Sequence, residues 1–155
     1  MNLNSILSLD CTKSAVQCSS KKRALEIISE LAAKKLEQNP QKLFDSMLSR
    51  EKMGNTGIGK GIAMPLGRIH HSDHAIAILL QCETPIEFDA VDNRPVDLLF
   101  ALFVPEQQCK DYLVTLSDIA DKLTDKNLYR QLRYAKSDQE LYQIITQAEP
   151  QVASK

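Results

Sequence analysis

The sequence predicts a layered α/β or α+β domain in which a sheet is covered by helices. Three observations carry that expectation. Two helix-patterned segments with capping residues lie between Ser20 and Lys52, three short apolar runs follow between Ile62 and Val104, and helical periodicity returns after Pro105. Apolar strands need both faces covered, and helices on either side of them in the chain can supply the cover.

The elements follow in order. Val16 to Cys18 reads as a strand near the start. Ser20 is placed to cap a helix running to about Leu36, with Leu25, Ile28, Ala32 and Leu36 at helical spacing. Lys21, Lys22 and Arg23 crowd its first turn against the helix dipole, which reads as a solvated basic patch or a docking surface for an acidic partner. Asn39 followed by Pro40 opens a second helix with Leu43, Phe44, Met47 and Leu48 inward, ending near Ser49 to Lys52. Ile62 to Leu66, Ala75 to Cys82 and Val96 to Val104 read as buried strands. A short pairing at Ile86 and Phe88 is expected on an edge, since Pro85 has no N–H to donate. Beyond Pro105, Tyr112, Leu113, Leu116, Ile119, Ala120 and Leu123 form one helical face, and Leu128, Leu132 and Ala135 another. Ser137 and Glu140 form a capping box before Leu141, Ile144, Ile145 and Ala148. A polar tail is expected from Pro150.

Composition narrows the functions. The 155 residues are 43% hydrophobic and 25% charged, the balance of an ordinary soluble core. A net charge of -1 argues against general nucleic-acid binding, which relies on surplus Lys and Arg to displace counterions. The start, Met-Asn-Leu-Asn-Ser-Ile-Leu, has neither a basic nor a long apolar region of the kind a secretory signal needs. The apolar runs Ala75 to Leu80 and Leu98 to Val104 fall far short of the roughly 20 residues of a membrane span. Cys11, Cys18, Cys82 and Cys109 show no C-x-x-C or zinc-finger spacing, and read as reduced, buried thiols of a cytoplasmic protein.

All five glycines fall between Gly54 and Gly67, with Arg50 delivered to that loop from a helix end. Such a concentration points to a backbone shape other residues cannot take, with amides suited to an anion such as phosphate. The loop nearly spells a Walker A motif, but Gly61 stands where a magnesium-binding hydroxyl belongs. A helix precedes it, and no helix follows. The dinucleotide fingerprint fails because Ile62 occupies the third glycine position. His70, His71 and His74 with Asp73 could suit a transition metal, but their place between two strands favours a polar loop, and no metal is expected. Asp89, Asp92 and Asp97 read as turn and strand-edge residues. No cofactor is expected.

Several long stretches are familiar: Ser20 to Lys34, Arg50 to Pro65, Glu83 to Asn93, Pro95 to Pro105 and Glu140 to Ile145. On these the chain resembles the fructose/mannitol-type enzyme IIA domains of the bacterial phosphotransferase system, in their nitrogen-regulatory branch. The resemblance runs from Leu3 to about Glu149 and implies a domain over residues 1–149 with a tail at 150–155. It implies an α/β fold of three layers, a mixed sheet flanked by helices on both faces. Such domains take a phosphoryl group from an HPr-type carrier onto a histidine that follows the Ile-Ala-Met-Pro strand end, a position held here by Leu66. A second pocket histidine corresponds to Tyr112, while Arg50, Gly57, Gly59 and Gly61 match the family's phosphate pocket. A largely neutral imidazole, with a pKa of about 6.5, offers a nucleophilic nitrogen. Leucine has no lone pair, and a phenol with a pKa of about 10 is a poor nucleophile at neutral pH. The expectation is a regulatory protein that acts by protein contacts on targets such as a potassium transporter or sensor kinase, with a vestigial HPr-type carrier site. The alternative is an active phosphocarrier using His70 or His71.

Overall fold

The computed structural model describes residues 3–147. Ala148, the end of the expected domain at residue 149 and the tail from Pro150 lie outside the described residues. Six strands form one mixed sheet: β1 (Thr12–Val16), β2 (Gly57–Gly59), β3 (Ile62–Ala63), β4 (Leu66–Ile69), β5 (Ile76–Ile86) and β6 (Val96–Pro105). β6 is central, antiparallel to β5 on one side and parallel to β3 and β4 on the other. β1 extends the sheet beyond β5 in parallel, and β2 closes the far edge as an antiparallel partner of β3. Leu98 to Val104 are each no more than 2% exposed, which is why that run carries no polar alternation.

Strand boundaries depart from expectation in three places. Ile62 to Leu66 is two strands, both in one continuous register with β6, Ile62 opposite Leu98 and Leu66 opposite Leu102. Pro65 cannot donate, so the ladder lapses there, although its carbonyl still accepts from the Leu102 amide at 2.9 Å. The first strand is Thr12–Val16, earlier than the expected Val16 to Cys18. Its polar residues hid it: Thr12 is fully buried, its hydroxyl donating to the Ser8 carbonyl at 2.9 Å. The Ile86 pairing is the end of β5, opposite Val96, while Phe88 lies outside any strand. Because the β1–β5 pairing ends at Cys82, Pro85 faces an open side of β5.

Among the described residues five α-helices join the sheet: α1 (Lys21–Leu36), α2 (Pro40–Met53), α3 (Leu113–Leu123), α4 (Lys126–Arg133) and α5 (Asp138–Gln147). Ser20 caps α1 by accepting from the Arg23 amide at 3.1 Å, and Asn39 caps α2 by accepting from Gln41 at 2.8 Å. α1 and α2 pack together against β5 and β4, whereas α4 and α5 pack together against β6 and β1, giving the three layers. Half of the expected Ser137–Glu140 box forms: Ser137 accepts from the Glu140 amide, but the Glu140 carboxylate accepts from the Lys136 amide and not from that of Ser137.

The basic first turn of α1 is not a uniform solvated patch. Lys21 reaches across to Glu51 of α2 at 2.8 Å and lies 4.5 Å from the centroid of the Phe88 ring. Only 4% of the Glu51 side chain is exposed, and the Thr56 amide and hydroxyl also donate to it. A carboxylate so enclosed needs its partners. Arg23 instead pairs with Glu26 and Glu30 on its own helix. Leu113 also departs from expectation, being 63% exposed. At about 100° per residue it lies a quarter-turn from the Ile119 and Leu123 direction that meets the core.

Gln81, on β5, joins three elements. Its side-chain oxygen accepts from the Ala15 amide at 2.9 Å, at a bulge where Ala15 has φ of 49°. Its amide nitrogen donates to the Leu132 and Ala135 carbonyls, each at 2.8 Å, at the end of α4. Gln81→Leu strands the buried Leu132 and Ala135 carbonyls and is predicted to cost about 2–4 kcal/mol, read as a lower urea midpoint with unchanged slope. Asp138 links α5 to β1: Ser14 donates to it through both amide and hydroxyl, at 2.7 and 2.8 Å. Desolvation raises that carboxyl, but the Ser14 bonds and nearby Lys13 outweigh it and hold it below its ordinary value. A depressed carboxyl adds stability above its unfolded pKa of about 3.9 that is lost as pH falls through the lower folded value. Asp138→Asn should therefore be less stable than the parent at pH 7, with the gap closing as acid protonates Asp138 in the folded as well as the unfolded parent, measured by unfolding across pH.

Candidate functional site

β4 alternates as a strand must: Gly67 and Ile69 are buried, while Leu66 and Arg68 face the other way. A Cβ on Gly67 would come within 2.7 Å of the Phe103 ring and 3.2 Å of Met47 Cγ, so glycine is what lets this strand lie so close to its neighbours. The Arg68 amide donates to Ser46 Oγ at 2.7 Å, tying β4 to α2. Leu66, Arg68 and His70 thereby line a cavity of about 460 Å³ with Ser46, Arg50 and Met53 of α2, Glu106 beyond β6, and Leu113 and Leu116 of α3.

Charges and apolar groups are mixed around it. Arg50 donates to the Gly54 carbonyl at 2.7 Å, which sets the guanidinium at the C-terminal end of α2, where a cation is favoured. His70 Nδ1 lies 3.6 Å from Glu106 Oε2, with both side chains more than half exposed, so the pairing is weak. Met53 and Leu113 on the lining are 79% and 63% exposed, and Val114, next to Leu113 in the chain, is 71% exposed. Leu66 is half-buried.

The other residues singled out in the sequence divide. Of the three histidines only His70 lines this cavity. His71, with φ of 61°, borders a separate cleft with Lys35, Gln38 and His74. His74 Nδ1 meets Asp73 at 2.9 Å, and that hydrogen bond holds the Asp73 carboxyl below its ordinary value. No three His, Cys, Asp or Glu side chains converge as a metal-binding group among the described residues. Tyr112 ends the turn before α3 and packs half-buried against the core, outside the cavity lining.

Gly57, Gly59 and Gly61 are not among the residues that line the cavity with Arg50 and Leu66. They belong to the β2–β3 hairpin beside the first residues of β6. Amides in this loop do meet acceptors, but the protein supplies them. Gly57 donates to Asn55 Oδ1 at 2.6 Å and Lys60 to Asp92 Oδ2 at 3.0 Å. The Lys60 and Arg94 amides hold the Asp92 carboxyl below its ordinary value. A Cβ on Gly61 would come 2.7 Å from Arg133 Nη2, which bonds Asp97 and the Lys60 carbonyl, each at 2.8 Å. Sequence reasoning missed Ser46, Arg68 and Glu106. The period-two spacing of Leu66, Arg68 and His70 was the signal for Arg68.

A family model described as "Phosphoenolpyruvate-dependent sugar phosphotransferase system, EIIA 2" matches residues 5–148. The nitrogen regulatory protein of Escherichia coli (strain K12) is 58% identical over 150 residues, covering 96% of this chain and 92% of the relative. A nitrogen regulatory protein homolog of Haemophilus influenzae is 44% identical over 149 residues, covering 94% and 91%. The crystal structure of nitrogen regulatory protein IIA-Ntr from Neisseria meningitidis shares the fold with a TM-score of 0.84 at 32% identity, covering 92% of this chain and 98% of that one. The crystal structure of IIA mannitol from Escherichia coli, at 18% identity and a TM-score of 0.67 over 84% and 92% of the two chains, adds a likeness of fold alone. No helix among the described residues is long and apolar enough to cross a membrane. The chain belongs to the EIIA 2 family of the phosphoenolpyruvate-dependent sugar phosphotransferase system, and its relatives include nitrogen regulatory proteins.

Proposed function

We propose that this EIIA protein works in the cytoplasm as a regulatory binding protein, through contacts made by the face around Leu66, and takes no phosphoryl group at that position. The carrying observation is the cavity itself: an aliphatic side chain on β4 beside Arg50 and Arg68, rimmed by exposed Met53 and Leu113. Phosphoryl transfer needs a lone pair, and Leu66 offers only a branched hydrocarbon. Fully burying a leucine in an interface contributes about 1.5–3 kcal/mol, and a half-buried one correspondingly less. An uncharged side chain at position 66 stays constant where a phosphate would add about -1.5 to -2 charges. Regulatory targets such as a potassium transporter or sensor kinase follow from family resemblance, with residues 1–149 as the working unit. An HPr-type carrier would dock on the same face without delivering its cargo.

The test is incubation with phosphoenolpyruvate, enzyme I and an HPr-type carrier, followed by intact mass measurement. The parent protein is expected to gain nothing, while Leu66→His gains one acid-labile phosphoryl group because Arg50 and the rim remain. A transferable phosphate on the parent, lost in His70→Ala, overturns the reading in favour of the imidazole already lining the cavity. Calorimetry supplies a second measurement: Leu113→Asp should weaken carrier binding about tenfold or more, the loss expected when a leucine's burial is replaced by a desolvated charge.

A further inference from the structure

Four cysteines are free thiols, and two of them touch. Cys18 and Cys82 are far apart in sequence, yet their sulfurs are 3.6 Å apart. Sheet register brings this about. Val16, at the end of β1, stands opposite Cys82 on β5, and Cys18 follows two residues later, in the connection leading to the Ser20 cap of α1. A disulfide has an S–S bond of about 2.05 Å, so the sulfurs must approach by only about 1.5 Å. Cys82 is held in a central strand, but Cys18 has left the ladder and can supply that movement.

Access is also asymmetric. Cys18 is half-buried and borders an open cleft of about 750 Å³ with Arg23, Glu83 and Pro85, whereas Cys82 is 6% exposed. We propose that Cys18 and Cys82 form a reversible oxidation site for hydrogen peroxide, closing into an intramolecular disulfide. The Cys18 thiol gives up its proton and the sulfur attacks hydrogen peroxide, breaking the O–O bond; the sulfur keeps one hydroxyl as a sulfenic acid, and the departing hydroxide takes up the thiol proton and leaves as water. The Cys82 sulfur then attacks the Cys18 sulfur, the S–S bond forms, and the Cys82 proton leaves with the departing hydroxide as a second water. Two thiols are oxidised to one disulfide and one peroxide is reduced to two waters. Burial pushes the Cys82 thiol well up, and the nearby Cys18 and Asp97 add to this, so Cys82 serves as the resolving partner and Cys18 as the first group oxidised. The link fastens β5 to the segment entering α1, whose Lys21 is held by Glu51, the neighbour of Arg50. This site is independent of whether Leu66 accepts phosphate.

The test uses the full chain carrying Cys11→Ser and Cys109→Ser, treated with hydrogen peroxide. Intact mass should fall by about 2 Da, the two hydrogens lost on disulfide formation. Both titratable thiols should disappear within one chain and return on treatment with dithiothreitol. Adding Cys82→Ser should leave a sulfenic acid on Cys18 that dimedone traps, and adding Cys18→Ser should leave Cys82 a free thiol at the same peroxide dose. If the serine variants fold poorly, peptide mapping of the oxidised parent should recover the same Cys18–Cys82 cross-link. Oxygen added to Cys18 while Cys82 stays free, cross-linking only between chains, or two unreacted thiols would each overturn the proposal.

Discussion

β6 is hydrogen-bonded along both edges, and that constraint places nearly everything around the cavity. Its parallel register with β4 sets Leu66 opposite Leu102 and Ile69 opposite Pro105. The next residues out on the two strands are then His70 and Glu106, which explains why these distant side chains meet at the mouth of the cavity. Slipping that pairing by one residue would exchange the faces of β4, burying Arg68 and exposing Ile69. The steric fit of Gly67 against Phe103 opposes such a slip, because any other side chain there collides with the ring.

Polar side chains joining the helical layers to the sheet do a different job from the apolar core. Gln81 holds the end of α4 and the bulge of β1, Arg133 grips Asp97 and the Lys60 carbonyl, and Glu51 draws Lys21 of α1 to α2. Apolar packing is non-directional and tolerates sliding, whereas each of these groups is satisfied in one arrangement only. Arg50 inherits its position from that network through its neighbour Glu51, which anchors the last turn of α2.

Local signals were legible in the sequence wherever chemistry was local. Ser20 and Asn39 marked the starts of α1 and α2, Ser137 marked α5, and the apolar runs marked β5 and β6. Elements defined by distant partners were harder to see. β1 hid behind Thr12, Lys13 and Ser14, because its pairing depends on β5 and its polar groups on Ser8 and Asp138. Lys21 read as a surface cation because Glu51 and Phe88 are distant in sequence. For the cavity, resemblance supplied Leu66 and Arg50, but Glu106 and Ser46 reach it only through tertiary packing. The glycine cluster read as one anion loop, whereas its members meet separate neighbours: Ala90 at Gly57, Arg133 at Gly61 and Phe103 at Gly67.

Asp92 gives that hairpin a built-in guest. Because its carboxylate is tethered to the same chain as the Lys60 amide it occupies, it competes with the intramolecular advantage of a covalently attached ligand, not at a bulk concentration. A dissolved oxyanion arriving at millimolar levels must evict it and leave a carboxylate seeking new partners. The Lys60 amide is therefore occupied from within its own chain, a hinge plate fastened by its own bolt, while the cavity beside Leu66 lies at the other end of β6.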